Sequence, residues 1–183
     1  MDALLLGGMS KRSNSKWIYE VERWVNPYFK KVVVIHYDHW NFNEEKPIDF
    51  SLELEKTVKS VALLDKPYFI IAKSIGSSLA LHALSLRLMN PTGLFICGLP
   101  YSKEANDDYF IRLLEKNKLP TIILQNVDER YIRPQELITL LRPFKNYHVV
   151  EGKGSEHSYQ AEVIADVVKN FIKILTKSTS SQP

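Results

Sequence analysis

The sequence predicts a doubly wound α/β fold, with a mainly parallel six-stranded sheet and helices on both faces. Three observations predict it. Short apolar runs recur along the chain, most of them are continuous rather than alternating, and amphipathic segments of helical period separate them. A strand buried on both faces needs a continuous apolar run, because side chains of either parity then meet an apolar layer. Alternation of strand and helix makes successive strands parallel, and right-handed crossovers place helices on both faces.

The first run is Ala3-Leu4-Leu5-Leu6, and Trp17, Ile18, Val21, Trp24 and Val25 then mark one face of a helix. Val32-Val33-Val34-Ile35 follows, with Leu54, Val58 and Val61 on the next helix. Tyr68-Phe69-Ile70-Ile71 leads into residues 76–89, apolar nearly all round, which predicts a deeply packed helix. Leu94-Phe95-Ile96-Cys97 precedes a helix carrying Tyr109, Phe110, Leu113 and Leu114, with Asn106-Asp107-Asp108 as its acidic start. Thr121-Ile122-Ile123-Leu124 precedes Leu137, Ile138 and Leu141, behind Pro134 as a first-turn residue. A weaker sixth run, Tyr147-His148-Val149-Val150, leads to Ile164, Val167, Val168, Phe171, Ile172 and Leu175 at spacings of three and four. Residues 1–176 read as a single domain, and 177–183 as a polar tail expected to fray.

A chain of 183 residues with 45% hydrophobic and 25% charged residues suits one globular domain and excludes disorder as its main state. Cys97 is the one cysteine and lies in an apolar run, so a disulfide scaffold is excluded. A net charge of +3 spread over well-mixed residues is too weak a signal for a nucleic-acid partner. No apolar run approaches the roughly 18 residues a membrane span needs, and Asp2 stands where a signal peptide wants basic residues. The expected setting is intracellular and reducing, the cytoplasm, with a small molecule as partner and neither membrane nor nucleic acid. The sequence does not specify an oligomeric state.

The stretch Ala72-Lys73-Ser74-Ile75-Gly76-Ser77-Ser78 carries the most chemistry. A buried strand runs into a serine and directly into a small-residue helix, the layout of a nucleophile elbow of pattern Gly-x-Ser-x-Gly. The turn strains the serine, so the residues two before and two after must be small; here they are Ala72 and Gly76. Ser74 as an ordinary helix cap fits the same stretch. Two later segments weigh on the choice. Asp128 and Glu129 stand just past the fifth run, and His157 follows the sixth, just before the last helix. Serine, acid and histidine thus each follow a separate strand, in an order unlike that of chymotrypsin or subtilisin.

On these residues the sequence resembles a small serine hydrolase of the α/β-hydrolase superfamily, over nearly the whole chain. The resemblance implies a compact core in which Ser74 is the nucleophile, His157 the general base and then acid, and Asp128 the residue that orients the imidazole. Asp128 is preferred because it falls three residues after Gln125, where the family often has Gly-x-x-Asp; the neighbouring Glu129 could substitute. Leu6-Gly7-Gly8-Met9 resembles the family's oxyanion loop, so the amides of Ile75 and of Gly8 or Met9 are expected to converge on one oxygen. The family fold puts the first strand between the second and the third. The reaction implied is hydrolysis of an ester, thioester or amide through an acyl-serine, with no cofactor and no metal.

Other residues read more plainly. His36, Asp38 and His39 read as polar loop residues rather than metal ligands, and His82 as a packed helix residue. Lys73 reads as a solvated lysine, with attraction for anionic substrates as the alternative. Tyr101, Trp40 and Tyr159 follow strand ends and are candidate cleft residues, or plain packing. Only eight residues, from Leu99 to Asn106, separate the fourth strand from the next helix, too few for a helical lid, so an open cleft and short or medium acyl groups are expected. Two rivals stand beside the hydrolase. One is a nucleotidyltransferase like the molybdenum-cofactor guanylyltransferases, resembled by Gly7-Gly8-Met9-Ser10-Lys11-Arg12 over about ten residues. The other is a hydrolase fold kept as a binding module without turnover.

Overall fold

A computed structural model describes residues 1–39, 47–102 and 108–180. Each apolar run forms a strand: β1 Asp2–Leu6, β2 Val32–Ile35, β3 Tyr68–Lys73, β4 Gly93–Cys97, β5 Thr121–Asn126 and β6 Tyr147–Gly152. Between and after them lie α1 Lys16–Val25, α2 Phe50–Ser60, α3 Ile75–Ser85, α4 Asp108–Lys116, α5 Pro134–Leu141 and α6 Ala161–Ser180. The six strands form one sheet in the order β2-β1-β3-β4-β5-β6, with every neighbouring pair parallel. β1 therefore lies between β2 and β3, as the family resemblance implies.

The two-residue period of a strand divides the apolar runs between two cores. Leu4, Leu6, Ile70, Ala72, Leu94, Ile96 and Ile123 pack in the layer that includes Leu79 and Leu81 of α3, Leu113 and Leu114 of α4 and Leu137 of α5. Ala3, Leu5, Phe69, Ile71, Phe95, Cys97, Ile122 and Leu124 face the opposite way, onto Trp17, Ile18 and Val21 of α1 and Ile164, Val168 and Phe171 of α6. Each fully buried Leu, Ile or Phe contributes roughly 1.5–3 kcal/mol of transfer free energy. The sandwich needs both layers, and the continuous runs are their trace in the sequence.

Five elements differ from expectation. α3 ends at Ser85 rather than continuing to Met89. Arg87 takes a left-handed conformation (φ 58°), its amide donates to the Leu84 carbonyl, and the Leu88 amide donates to the Ala83 carbonyl. That is a Schellman stop with arginine in the position glycine usually fills. α6 continues through Ser180, past the expected start of the tail at Lys177. No glycine or proline interrupts residues 161–182, so nothing in the sequence stops the helix there. β3, β5 and β6 each run two residues beyond their apolar stretches. Those extra residues, Ala72-Lys73, Gln125-Asn126 and Glu151-Gly152, extend the ladders, which pair Lys73 with Cys97 and Asn126 with Gly152.

Gly76 fixes how closely α3 approaches β1. A Cβ on it would lie 2.6 Å from the Gly7 carbonyl oxygen and 2.8 Å from Leu6 Cβ. Gly76→Ala gains up to about 1 kcal/mol of helix propensity, but the obstacle is backbone and cannot swing aside. The expected net result is a loss of about 1–3 kcal/mol, lowering the midpoint of thermal unfolding by several degrees at this chain length. A circular dichroism melt checks it.

Candidate active site

The β3–α3 turn forces Ser74 into φ 51° and ψ −120°, a conformation that side chains other than glycine rarely adopt. Such strain costs on the order of 1–3 kcal/mol and persists only where the surroundings over-determine it. Here the Ser74 amide donates to the Cys97 carbonyl at 3.2 Å, and its own carbonyl accepts from the Ser77 amide at 2.8 Å and from the Ser77 hydroxyl. The Ser74 side chain does not cap α3, so the plain helix-cap reading fails. The turn has the strained strand–serine–helix form of the elbow pattern.

The acid beside His157 is Glu129, not Asp128. His157 Nδ1 donates to both Glu129 oxygens, at 2.9 and 3.0 Å, and the Tyr159 hydroxyl donates to Oε2 at 2.6 Å. The phase of the turn is the reason. β5 runs to Asn126, so Val127 and Asp128 form the exposed tip of the turn. The chain then folds back, with the Glu129 amide donating to the Asn126 carbonyl at 3.1 Å, and the Glu129 side chain is buried. Burial alone would raise its carboxyl, but the hydrogen bonds from His157 and Tyr159 outweigh that and hold it below the usual glutamate range. Burial pushes the Tyr159 phenol well up, so it stays a donor.

A carboxylate can only accept, so His157 carries its proton on Nδ1, and Nε2 is the free base of the ring. Among the described residues Nε2 has no hydrogen-bond partner. The ring lies edge-on to Tyr131 and Tyr159, with centroids 5.1 and 5.9 Å away. Gly98, at φ 67°, makes room for it, since a Cβ there would lie 2.6 Å from His157 Cε1.

The loop after β1 is held by three side chains remote from the glycines. Tyr37 donates its hydroxyl to the Gly7 carbonyl at 2.9 Å, Asn14 its amide to the Gly8 carbonyl at 2.5 Å, and His39 Nε2 its proton to the Met9 carbonyl at 3.1 Å. In a trans peptide each carbonyl is antiparallel to the next N–H. Pinning these three carbonyls therefore fixes the amides of Gly8, Met9 and Ser10. A Cβ on Gly8 would lie 3.5 Å from Ser74 Cβ, so this backbone stands directly against the serine. Sequence reasoning found the glycines but missed Tyr37 and Asn14, and took His39 for a plain loop residue. An asparagine six residues on and a tyrosine two past a strand end carry no pattern of their own.

Ser74, His157, Gly8 and Met9 line one cavity of about 650 Å³, together with Lys73, Trp17 and Tyr159. Lys73 is not solvated: it is 7% exposed. Tyr159 is a cleft residue as expected, whereas Tyr101 packs with Phe110 in the opposite core. Trp40, and residues 103–107 of the segment read as too short for a lid, lie outside the described residues. His36 meets Tyr19 at the surface, and His82 packs between Phe50 and Tyr109. Among the described residues no three His, Cys, Asp or Glu side chains form a metal-binding group, and no helix is long and apolar enough to cross a membrane.

Because the Glu129 carboxyl is depressed in the folded state, its ionisation stabilises the fold above its unfolded value of about 4.3, and that contribution disappears as pH falls through the lower folded value. Glu129→Gln is expected to destabilise most near neutral pH, with its deficit shrinking below about pH 4. Asp128→Asn, at an exposed turn, is expected to stay within about 0.5 kcal/mol of the wild type. Urea unfolding across that range checks both.

No protein-family model matches the sequence, and no curated protein is significantly similar to it. Solved structures are. The chain superposes with a TM-score of 0.69 on mouse alpha/beta hydrolase domain-containing protein 10, at 12% identity, over 95% of this chain and 90% of that one. Est1E of Butyrivibrio proteoclasticus, bound to ferulic acid, gives 0.71 at 14% identity, over 96% and 89%. The Pyrococcus furiosus esterase Pf2001 gives 0.72 at 13% identity, over 97% and 82%. With six parallel strands in this order and helices on both faces, the chain has the α/β-hydrolase fold.

Proposed function

We propose that the protein is a serine hydrolase that cleaves an ester, thioester or amide of a small molecule through an acyl-serine intermediate. One observation carries this reading. The buried Glu129 fixes His157 as an Nδ1–H imidazole whose Nε2 is unpartnered, at a cavity that the strained Ser74 also lines. Two structural neighbours, one named as an alpha/beta hydrolase domain-containing protein and one as an esterase, support the reaction class. The nucleotidyltransferase alternative is left with its ten-residue loop, in which Ser10 and Ser13 bond to each other at 2.9 Å.

In the proposed mechanism Ser74 Oγ attacks the substrate carbonyl as Nε2 takes the hydroxyl proton. Glu129 stays ionised and steadies the imidazolium. The Ile75 amide, at the start of α3, and the Gly8 or Met9 amide stabilise the oxyanion. When the tetrahedral carbon collapses, its bond to the leaving group breaks and Nε2 returns the proton to that group. Water then adds to the acyl carbon and gives a proton to Nε2. The Ser74 ester bond breaks, Oγ recovers the proton, and the carboxylic acid leaves.

A fluorophosphonate is expected to label Ser74 in the wild type and to leave Ser74→Ala unlabelled, as read by peptide mass spectrometry. Labelling at Ser10, Ser77 or Ser78, or none at all, contradicts the reading; the last outcome favours a binding module. With a nitrophenyl ester, Glu129→Gln is expected to lower kcat by about 10³–10⁴-fold, while Asp128→Asn keeps nearly wild-type activity. Asn14→Ala is expected to lower kcat about tenfold or more by loosening the Met9 amide, with a smaller change in KM. Equal losses from Glu129→Gln and Asp128→Asn would overturn the assignment of the acid.

A further inference from the structure

We propose that the cavity selects substrates carrying an anionic group, a carboxylate or a phosphate, held by Lys73 in its interior and by Arg12 and Arg130 nearer its mouth. The serine hydrolase reading supplies what is cleaved; the anion site concerns what is bound.

Strand parity puts Lys73 where it is. Phe69, Ile71 and Lys73 alternate onto the α1/α6 face of β3, and the first two are wholly apolar and buried. Lys73 ends that row with its ammonium among Trp17, Cys97 and Ser13. Nζ donates to the Ser13 hydroxyl at 3.2 Å and lies 4.7 Å from the centroid of the Trp17 ring. Among the described residues no carboxylate pairs with it. A buried ammonium is costly unless paired, and one hydroxyl with one indole face replaces little of its hydration. Glu129 favours its charge from a distance but is committed to His157 and Tyr159.

Arg12 and Arg130 line the same cavity, and neither forms an ion pair among the described residues. The Arg130 guanidinium is already oriented, lying 4.9 Å from the Tyr131 ring centroid and donating to the Tyr131 hydroxyl at 3.2 Å. Burial depresses the Lys73 ammonium, and the two arginines add to that push. Arg23 also lines the cavity, so four cations face one space at a cost in mutual repulsion, which a bound anion would relieve. The cavity also has carboxylates. Glu20 pairs with Lys16 at 3.9 Å, while Glu156 and Glu162 are exposed; none of the three pairs with Lys73, Arg12 or Arg130 among the described residues. Lys73 and Ser74 line the same cavity, so one substrate molecule can present its anion to the lysine and its scissile carbonyl to the serine.

Calorimetric titration of the full chain with hexanoate, its neutral isostere hexanamide, and inorganic phosphate tests the site without catalysis. Hexanoate or phosphate is expected to bind about tenfold or more tighter than hexanamide, and Lys73→Met and Arg130→Gln are each expected to weaken that binding several-fold. The tighter of the two anions identifies the substrate group. Arg130 is exposed, so its variant keeps the test decisive if Lys73→Met fails to fold. Equal binding of all three compounds, or anion binding unmoved by either substitution, overturns the proposal. Kinetics then separate the two readings. The ratio of kcat/KM for mono-nitrophenyl adipate over its neutral methyl ester is expected to exceed about ten and to fall toward one in Arg130→Gln. Cleavage of both esters without anion binding leaves the hydrolase and removes the anion site. Anion binding without cleavage of either leaves the anion site and removes the hydrolase.

Discussion

The site depends on one backbone position. Ser74 can hold a positive φ only because the chain on both sides is already committed: β3 is paired on its two edges, and α3 is pressed against the end of β1. The Ser74 amide is tied to β4 through Cys97, and Gly76 lets the helix come within contact of Gly7. The strain of one residue is thus offset by the cooperative stability of the sheet and both its apolar layers. The same contact that fixes the serine also brings the loop after β1 to its side. In the proposed mechanism, nucleophile and oxyanion backbone both follow from this one helix–strand approach.

Around that position the polar groups are arranged by what each can donate. Tyr159 and Tyr37 are buried phenols whose protons burial retains, so one is a fixed donor to Glu129 and the other to the Gly7 carbonyl. Glu129, doubly hydrogen-bonded, remains an acceptor and sets the His157 tautomer. Lys73 stands apart as a buried charge with no counter-charge bonded to it among the described residues, which is why it points to a ligand rather than to the fold.

Much of this was legible in the residues. The doubled apolar layers required continuous runs, and those runs located all six strands. Ala72 and Gly76 flanking Ser74 marked the elbow because only small residues fit that turn. His157 was legible from its place between the last strand and the last helix. The acid was not. Asp128 and Glu129 are neighbours, and which one turns inward depends on where β5 stops; the apolar run ended at Leu124, but Gln125 and Asn126 continue the ladder as polar residues. The bracing of the glycine loop was hidden for a different reason. Tyr37, Asn14 and His39 act through tertiary contacts, and no local spacing records which carbonyl a distant side chain will meet. Lys73 reads as solvated because a lysine usually is, whereas parity places it under Trp17.

The central claim is that the strained serine turns over as an acyl-enzyme. Rapid mixing with nitrophenyl acetate, followed by acid quench and peptide mass spectrometry, tests it most directly. The account expects a burst of nitrophenol stoichiometric with enzyme and an acetyl group on Ser74 that appears and then decays during turnover. Ester hydrolysis at the same rate in Ser74→Ala, or an acetyl group that accumulates on Lys73 instead, would contradict it.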